Sequence, residues 1–408
     1  MNIWRVPYPK FGVGPGLDRC VAVAEKLGIE LSAFGERAAV IVGSNGKGST
    51  AAMCAALLAQ SGEDVGLFTS PHLFDLNERF RIGDDDISDD ELGHHWGRVR
   101  EAIAACGLGE TIGGFEFLFL IAADWFAAHG CTYTVWEAGI GGRLDPVKLI
   151  AAKQLALTAL DFEHTALLGD TLEAIALEKV AAAPAGACVL VSEVAAPVGS
   201  RVRSAIEGYC ATHQIRAAFV QPIVDVLPLS GAYQQSNAAL ALGLAQTLER
   251  LSEAQVARGF AATRWPGRLE VLSADPLVVI DVGHTPDGVA RALDAFEGLR
   301  GERAGVLVCG VSADKDASAI IERLASSFTQ IICVAAHHKG APPAEIATYA
   351  QKANAAAEVT LAESVAEARK LALAKAQGGA VYVAGGLFLA AEFKAVHLGR
   401  DPSSLAFF

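Results

Sequence analysis

Residues 43–50, Gly-Ser-Asn-Gly-Lys-Gly-Ser-Thr, have the residue types of a loop that binds a polyphosphate. They follow an apolar run at residues 38–43 and lead into a helical pattern. Glycines let successive backbone N–H groups point at phosphate oxygens, a helix N-terminus adds partial positive charge, and a lysine reaches the terminal phosphates. Lys47 is that lysine. The sequence therefore predicts a nucleotide site, against the alternative of a glycine-rich turn that carries an incidental lysine.

The loop offers three kinds of group to a nucleotide. Its glycines shape the backbone, its lysine carries the charge, and Ser49 or Thr50 presents a hydroxyl to a phosphate or to Mg²⁺. The residues expected to bind the nucleotide here are Gly43, Asn45, Gly46, Lys47, Gly48, Ser49 and Thr50. Gly48 departs from the usual order of a phosphate loop, because it stands between the lysine and the hydroxyl residues.

Short apolar runs that alternate with helical patterns must position this loop. The first series of runs consists of residues 38–43, 64–70, 133–139, 155–162 and 187–193. A second series follows the turn-forming residues 264–268 and consists of residues 276–283, 304–310, 330–336 and 379–386. Nearly all-apolar strands that alternate with helices are typical of a parallel sheet covered on both faces.

The two series predict two domains in an α/β fold. We expect a P-loop NTPase-type parallel-sheet domain at residues 1–270, which binds the nucleotide, followed by a smaller Rossmann-like α/β domain at residues 271–408. The joint between them is expected to be short and hinge-like.

Composition excludes several classes of protein. The net charge of −13 argues against a general nucleic-acid binder. The eight cysteines form no CxxC pair, which favours reduced thiols over a disulfide framework or a zinc site. The N-terminal residues 1–10 contain no apolar signal core, and no run of 18 uncharged residues reads as a membrane span. We expect a cytoplasmic protein with no nucleic-acid or membrane partner.

The order Gly-Lys-Gly-Ser in the loop resembles the folylpolyglutamate synthase and dihydrofolate synthase family of Mur ligases. Eight further segments resemble that family in order and at plausible spacing. They are residues 70–82 (SPHLFDLNERFRI), 115–117 (FEF), 136–145 (WEAGIGGRLD), 163–179 (EHTALLGDTLEAIALEK), 229–241 (LSGAYQQSNAALA), 264–270 (RWPGRLE), 279–288 (VIDVGHTPDG) and 385–393 (GGLFLAAEF). The resemblance therefore covers almost the whole chain.

The resemblance implies a set of metal ligands. Family members hold Mg²⁺, with two ions expected, through positions that match Ser70, Glu137 and His164. Oxygen ligands suit Mg²⁺, and a carboxylate at the end of an apolar strand is costly without a cation beside it. His164 taken alone would be an ordinary loop residue. Lys179 matches a family lysine that is commonly carbamylated; the alternative is a solvated helix lysine.

The resemblance also implies roles in the second half of the chain. Asn237, Arg268 and Asp281 match positions that contact the nucleotide, and His284 lies in the same segment. ATP would then be clamped between the two domains. The residues expected to take part in catalysis are Lys47, His164, Lys179 and Arg268.

Departures from the family pattern gather where the family binds its pterin substrate. The residues expected to bind the acid substrate are Phe115, Leu144, Asp145 and Pro146. After Asp145, the family's Ala-Thr-Asn is replaced by residues 146–148, Pro-Val-Lys. Tyr233 replaces a helix histidine, and Thr285 replaces an asparagine. These changes fit either drift in a folate enzyme or a relative with another acid substrate.

The implied activity is ATP-dependent amide-bond formation through an acyl phosphate, with glutamate as the amine and a folate-type or pteroate-type acid, and with a monomer as the active unit. The first alternative is the same chemistry on a non-folate acid. The second is a P-loop switch or transport ATPase without ligase activity, and the third is a catalytically dead binding protein.

Overall fold

The computed structural model describes residues 4–223, 227 and 229–407. Residues 1–3 of the N-terminal segment lie outside this range. Within it, the first eight strands form one sheet and the next six form a second. The strands are β1 Ala38–Val42, β2 Val65–Phe68, β3 Phe80–Ile82, β4 Asp85–Asp86, β5 Tyr133–Glu137, β6 Gln154–Leu157, β7 Cys188–Ser192, β8 Arg216–Val220, β9 Glu270–Ala274, β10 Leu277–Ile280, β11 Gly305–Cys309, β12 Gln330–Cys333, β13 Glu358–Leu361 and β14 Ala380–Ala384.

Helices connect most of these strands. They are α1 Leu17–Leu27, α2 Lys47–Leu58, α3 Asp89–Ala105, α4 Gly114–His129, α5 Thr165–Leu168, α6 Leu172–Val180, α7 Arg201–Thr212, α8 Tyr233–Leu248, α9 Glu253–Ala262, α10 Pro286–Arg300, α11 Ala317–Ala325, α12 Pro343–Ala353, α13 Val365–Ala376 and α14 Leu387–His397. No helix in the described ranges is both long and apolar enough to cross a membrane.

The first sheet has the strand order β4-β3-β2-β5-β1-β6-β7-β8, with β1 in its interior. Successive side chains of a strand point to opposite faces. Val40 and Val42 accordingly join one buried cluster, and Ala39 and Ile41 join the other. The sheet is therefore buried on both sides, which explains why β1 is apolar at every position.

The second sheet has the strand order β13-β12-β11-β14-β10-β9 and is built in the same way. Leu307 and Cys309 of β11 pack into one cluster, while Val306 and Val308 pack into the other. Its first strand, β9, begins at Glu270. The predicted division of the chain into residues 1–270 and 271–408 stays a prediction.

The α/β class is confirmed, but the sheets are not purely parallel: β3 and β4 are antiparallel in the first sheet, and β9 is antiparallel in the second. Strands β8 and β13 were also missed. All five lie at or next to a sheet edge, where one side faces solvent and a strand need not be a continuous apolar run.

A buried carboxylate joins α3 to α4 beneath the first sheet. Asp124 on α4 accepts hydrogen bonds from His95 Nδ1 at 2.6 Å and from Arg98 Nε at 2.9 Å, both on α3. Although burial raises the pKa of Asp124, the hydrogen bonds from His95 and Arg98 leave it below its ordinary value. The ion pair therefore stabilises the fold above the pKa of an unfolded aspartate and is lost as the pH falls through the lower folded value.

We expect Asp124→Asn to lower the free energy of unfolding by about 2 kcal/mol, because it leaves the buried His95 side chain without its charged partner and weakens the contact with Arg98. Urea unfolding followed by circular dichroism measures the change. Asp64→Asn is the control, because Asp64 is exposed, and it should change stability by less than about 0.5 kcal/mol. Equal unfolding midpoints for the two variants would contradict a structural role for this pair.

Candidate active site between the two sheets

The phosphate loop connects β1 to α2 at the carboxyl end of the strand. Gly46 precedes the helix with φ of 92°, a left-handed conformation that favours glycine. The first N–H groups of α2 have no partner within the helix, so they face the space beyond the loop. The structure thus has the strand, loop and helix N-terminus that a phosphate requires.

Two other elements pack closely against the loop. A Cβ on Gly46 would collide with the Asn237 side chain of α8, and a Cβ on Gly48 would collide with the Trp265 ring. Trp265 lies in the segment that leads from α9 into the second sheet. The Gly48 that departs from the usual phosphate-loop order is therefore the residue that lets this connecting segment pack onto α2.

The polar side chains of the loop have few partners within the protein. Lys47 Nζ donates to the carbonyl oxygens of Gly43 and Ser44 at 2.9 and 3.2 Å. Ser49 Oγ accepts a long hydrogen bond of 3.4 Å from Gln234. Thr50 Oγ1 is buried and has no hydrogen-bond partner among the described residues. An orphaned buried hydroxyl needs an explanation, and a bound phosphate or hydrated metal ion would supply its partner.

Ser70 and Glu137 meet beside this loop. Glu137, at the end of β5, is 4% exposed and accepts a hydrogen bond of 3.0 Å from the Ser70 backbone N–H. Ser70 Oγ accepts from Arg79 Nη1 at 2.8 Å. Burial raises the pKa of Glu137, and the charges of Lys47, Arg268 and Arg79 oppose this rise. A buried carboxylate is thus surrounded by cations from three separate segments.

Among the described residues, His164 makes no hydrogen bond to Ser70 or to Glu137. It precedes α5 with φ of 46°, and its side chain is exposed. No three His, Cys, Asp or Glu side chains of the described residues cluster as a metal site. Mg²⁺ takes few ligands from protein side chains and completes its coordination with phosphate and water oxygens, so a compact cluster of three such side chains is not required.

Lys179 is not the solvated helix lysine of the sequence alternative. Its side chain is 1% exposed, and Nζ donates to the Gly43 carbonyl at 2.9 Å and to Glu163 Oε1 at 2.7 Å. Burial lowers the pKa of Lys179 to about 8. Burial also raises the pKa of Glu163, but Lys47 and Lys179 outweigh it and lower that pKa to about 2. The pair anchors the start of the phosphate loop.

The second domain approaches the loop from the other side. Asp281 is 2% exposed and accepts hydrogen bonds from the backbone N–H groups of Leu269 and Gly283 at 3.1 and 2.7 Å. Burial raises its pKa, and the Arg268 charge opposes this. His284 is exposed at the entrance to α10. Asn45 of the loop reaches Thr285, the N-cap of α10, at 3.4 Å.

A narrow cleft of about 50 Å³ runs between these groups. Of the residues predicted to bind the nucleotide, Asn45, Gly46, Ser49, Asn237, Arg268 and Asp281 line it. A larger cavity of about 410 Å³ lies elsewhere, between Trp4–Val6, the loop around His72, and residues 402–407. None of the predicted nucleotide or metal residues lines that cavity, so size does not identify the reaction site.

The four residues predicted to bind the acid substrate have different surroundings. Leu144 is 42% exposed, whereas Asp145 and Pro146 are buried. The Asp145 carboxylate accepts from the N–H groups of Gly139, Ile140 and Val147 at 2.9 to 3.0 Å. The Phe115 ring lies against Gly139 and packs with Phe68. The geometry gives Asp145 a part in folding its own loop; a part in substrate binding stays a prediction.

Sequence reasoning missed three residues of this site. Arg79 is buried and holds Ser70, Glu163 holds Lys179, and Trp265 covers Gly48. Each lies inside a segment that was recognised, but the motif alone does not say which member turns inward. A buried arginine or glutamate has no signature in sequence, because its partner comes from a distant segment.

Comparisons with known proteins agree with this architecture. Residues 267–387 match the family model described as Mur ligase, glutamate ligase domain. A crystal structure of a bifunctional folylpolyglutamate synthase/dihydrofolate synthase, solved with Mn, AMPPNP and L-glutamate bound, matches with a TM-score of 0.81 and 25% identity over 93% of each chain. The chain therefore has the two-domain fold of these ligases.

Two curated relatives make the match more specific. The folylpolyglutamate synthase of Lacticaseibacillus casei is 31% identical, and the match covers 88% of this chain and 89% of that relative. A probable bifunctional folylpolyglutamate synthase/dihydropteroate synthase of Haloferax volcanii is 32% identical over 94% of this chain, which spans about half (48%) of that relative's length. This chain belongs to the folylpolyglutamate synthase/dihydrofolate synthase family, as the resemblance of its motifs implied.

Gly48 leaves no room for a methyl group beside the Trp265 ring. Gly48→Ala should destabilise the protein by about 1–3 kcal/mol, because the added methyl group forces the Trp265 ring out of place. Gly97→Ala on α3 is the matched control: its Cβ would meet open space, and alanine should stabilise that helix by up to about 1 kcal/mol. Thermal unfolding distinguishes the two. The packing account fails if Gly48→Ala is as stable as Gly97→Ala.

Proposed function

We propose that this chain is an ATP-dependent ligase that joins L-glutamate to a folate-type or pteroate-type acid through an amide bond. The proposal is supported chiefly by the convergence of Lys47 and Arg268, one from each side of the cleft, beside the phosphate loop and the buried Glu137. Two domains that close on one phosphate site fit a reaction in which ATP must meet a second substrate away from water.

The chemistry follows from the poor reactivity of a carboxylate. One carboxylate oxygen attacks the γ-phosphorus of ATP, the bond to the β–γ bridging oxygen breaks, and ADP leaves. The resulting acyl phosphate has a good leaving group. The glutamate amine then attacks the acyl carbon, loses a proton, and expels inorganic phosphate. The protein need only neutralise charge and align the reactants, as Lys47 and Arg268 are placed to do.

The residues present fit a divalent metal beside the phosphates. We propose that two ions bind here and that Ser70, Glu137 and His164 are their protein ligands. The buried Thr50 hydroxyl, which has no hydrogen-bond partner among the described residues, fits contact with a phosphate or with a water molecule bound to the metal. A bound Mg²⁺ would neutralise phosphate charge and orient the γ-phosphate. A related structure was solved with Mn and AMPPNP, which supports a nucleotide and a divalent ion here.

Anionic substrates fit a group of lysines near His164, where partial burial and the charges of Lys315 and Lys10 lower the histidine pKa. The loops after β11 and β12 are joined by a hydrogen bond of 2.8 Å from the Ala313 N–H to the Lys339 carbonyl. Burial lowers the pKa of Lys10, and the charges of Lys339 and Lys315 lower it further, so three lysines lie near one another. Both the acid and glutamate are carboxylates that such lysines attract. The same features fit a non-folate acid, which the changed residues 146–148 leave open.

We propose that Lys179 is carbamylated and that the resulting anion supports the second metal ion. A neutral amine attacks CO₂ at carbon, loses a proton, and becomes an anion. The pKa of about 8 gives Lys179 a neutral fraction at physiological pH, and that fraction rises as the pH passes 8. Glu163 must first leave the amine, because it holds the ammonium form at 2.7 Å.

One chain supplies both walls of the cleft, so a monomer suffices for the reaction. All eight cysteines are free thiols, which fits the reducing cytoplasm. We accordingly assign the activity to a cytoplasmic monomer.

Lys47→Ala should lower ligation by about 100-fold or more, because a fixed cation at the transferring phosphoryl group is lost. The assay is phosphate release with ATP, Mg²⁺, glutamate and either tetrahydrofolate or dihydropteroate. Lys26→Ala, an exposed lysine on α1, is the control and should retain full activity. Unchanged turnover in the Lys47 variant refutes the phosphate role. Release that needs a different acid supports the alternative substrate, and release without any acid supports an ATPase.

Carbamylation is tested without relying on activity. Protein equilibrated with ¹³C-bicarbonate should show a carbamate carbon signal by NMR, and the signal should grow as the pH rises through about 8. The signal should be absent in Lys179→Arg. A spectrum that is the same for both proteins means that Lys179 remains an ammonium.

A further inference from the structure

The lining of the cleft includes side chains to which the phosphate contacts give no role. They are Ser192 at the end of β7, Val194 two residues beyond that strand, Tyr233 at the start of α8, and Arg291 on α10. None of them belongs to the phosphate loop or to the metal set. Val194 is 44% exposed, so it offers apolar surface to whatever enters.

Arg291 and Arg268 are the two cations among the described residues that line the cleft. The Nε of Arg291 pairs with Asp287 Oδ2 at 2.8 Å, one helical turn earlier on α10. The two side chains are 36% and 45% exposed, and an ion pair of that kind contributes little to stability. The ion pair instead restricts the orientation of the planar Arg291 guanidinium at the wall of the cleft.

The direction of α10 places Arg291 relative to the phosphates. Gly288 in the first turn faces the phosphate loop, since a Cβ on it would lie 3.6 Å from Asn45 Oδ1. Arg291 follows three residues later, about 4.5 Å further along the helix axis. In a nucleotide, the groups that come next after the phosphates are the ribose and the base.

We propose that Arg291, held by Asp287, binds the nucleoside part of ATP by laying its guanidinium against the base, with Val194 providing apolar surface nearby. This assignment rests on the proposed function and adds to it a residue outside the family motifs. A guanidinium is planar, always charged and weakly hydrated, so it stacks on aromatic faces where an ammonium would not. The cleft is narrow in this structure, so the nucleotide must widen it, and a cation on the second domain would then contribute to closing it again.

The experiment compares ADP with inorganic tripolyphosphate by isothermal titration calorimetry, using the full chain. Arg291→Ala should weaken ADP about 10-fold, as loss of a desolvated cation–π contact does, and leave tripolyphosphate unchanged. Arg291→Lys should stay close to the alanine variant for ADP, because an ammonium keeps the charge but not the planar face. Asp287→Asn should weaken ADP less than either. Arg300→Ala, in the last turn of the same helix and outside the cleft lining, is the control for ADP affinity.

Two results overturn the assignment alone. If wild-type protein binds both ligands and Arg291→Ala binds ADP as tightly as wild type does, Arg291 does not contact the nucleotide. If the variant loses both ligands equally, Arg291 acts on phosphate and not on the nucleoside. Wild-type protein that binds neither ligand overturns the proposed function and this inference together.

Discussion

A carboxylate buried at the end of a β-strand sets the electrostatic balance of this site. Glu137 is almost fully removed from water, a position that a charged group can hold only when cations lie beside it. The chain brings those cations from the phosphate loop, from the segment after β2, and from the connection between the sheets, as Lys47, Arg79 and Arg268. The same carboxylate accepts the Ser70 N–H, so the charge balance also fixes the loop after β2.

The second domain and the segment that leads to it contact the phosphate loop and the start of α2 directly. Trp265 packs on Gly48 at the start of α2, and Asn45 reaches the N-cap of α10. Arg268 follows Trp265 by three residues and acts on both Glu137 and Asp281. The segment that connects the sheets is therefore also a wall of the cleft. Rotation of the second domain would move Arg268 relative to the phosphate loop, which links domain closure to completion of the site.

The two sheets and the phosphate loop could be predicted because their signals are local. Apolar runs such as residues 38–43 and the glycine-lysine pattern of the loop are contiguous in sequence. The strands at and next to the sheet edges were missed because they are short or half exposed, as the parallel strand β8 Arg216–Val220 is. The inward turn of Arg79, the pairing of Glu163 with Lys179, and the three N–H contacts of Asp145 depend on partners that only the folded chain brings together. Family motifs located the segments, and packing decided the role of each side chain within them.

We propose that this cleft transfers the γ-phosphoryl group of ATP to a carboxylate. Transfer of ¹⁸O from the labelled side-chain carboxylate of tetrahydrofolate to inorganic phosphate tests it most directly, with product phosphate analysed by mass spectrometry. The account predicts one ¹⁸O atom in each phosphate released, in step with amide formed. Phosphate that carries no label would show that water, and not the acid, accepts the phosphoryl group, and would contradict the account.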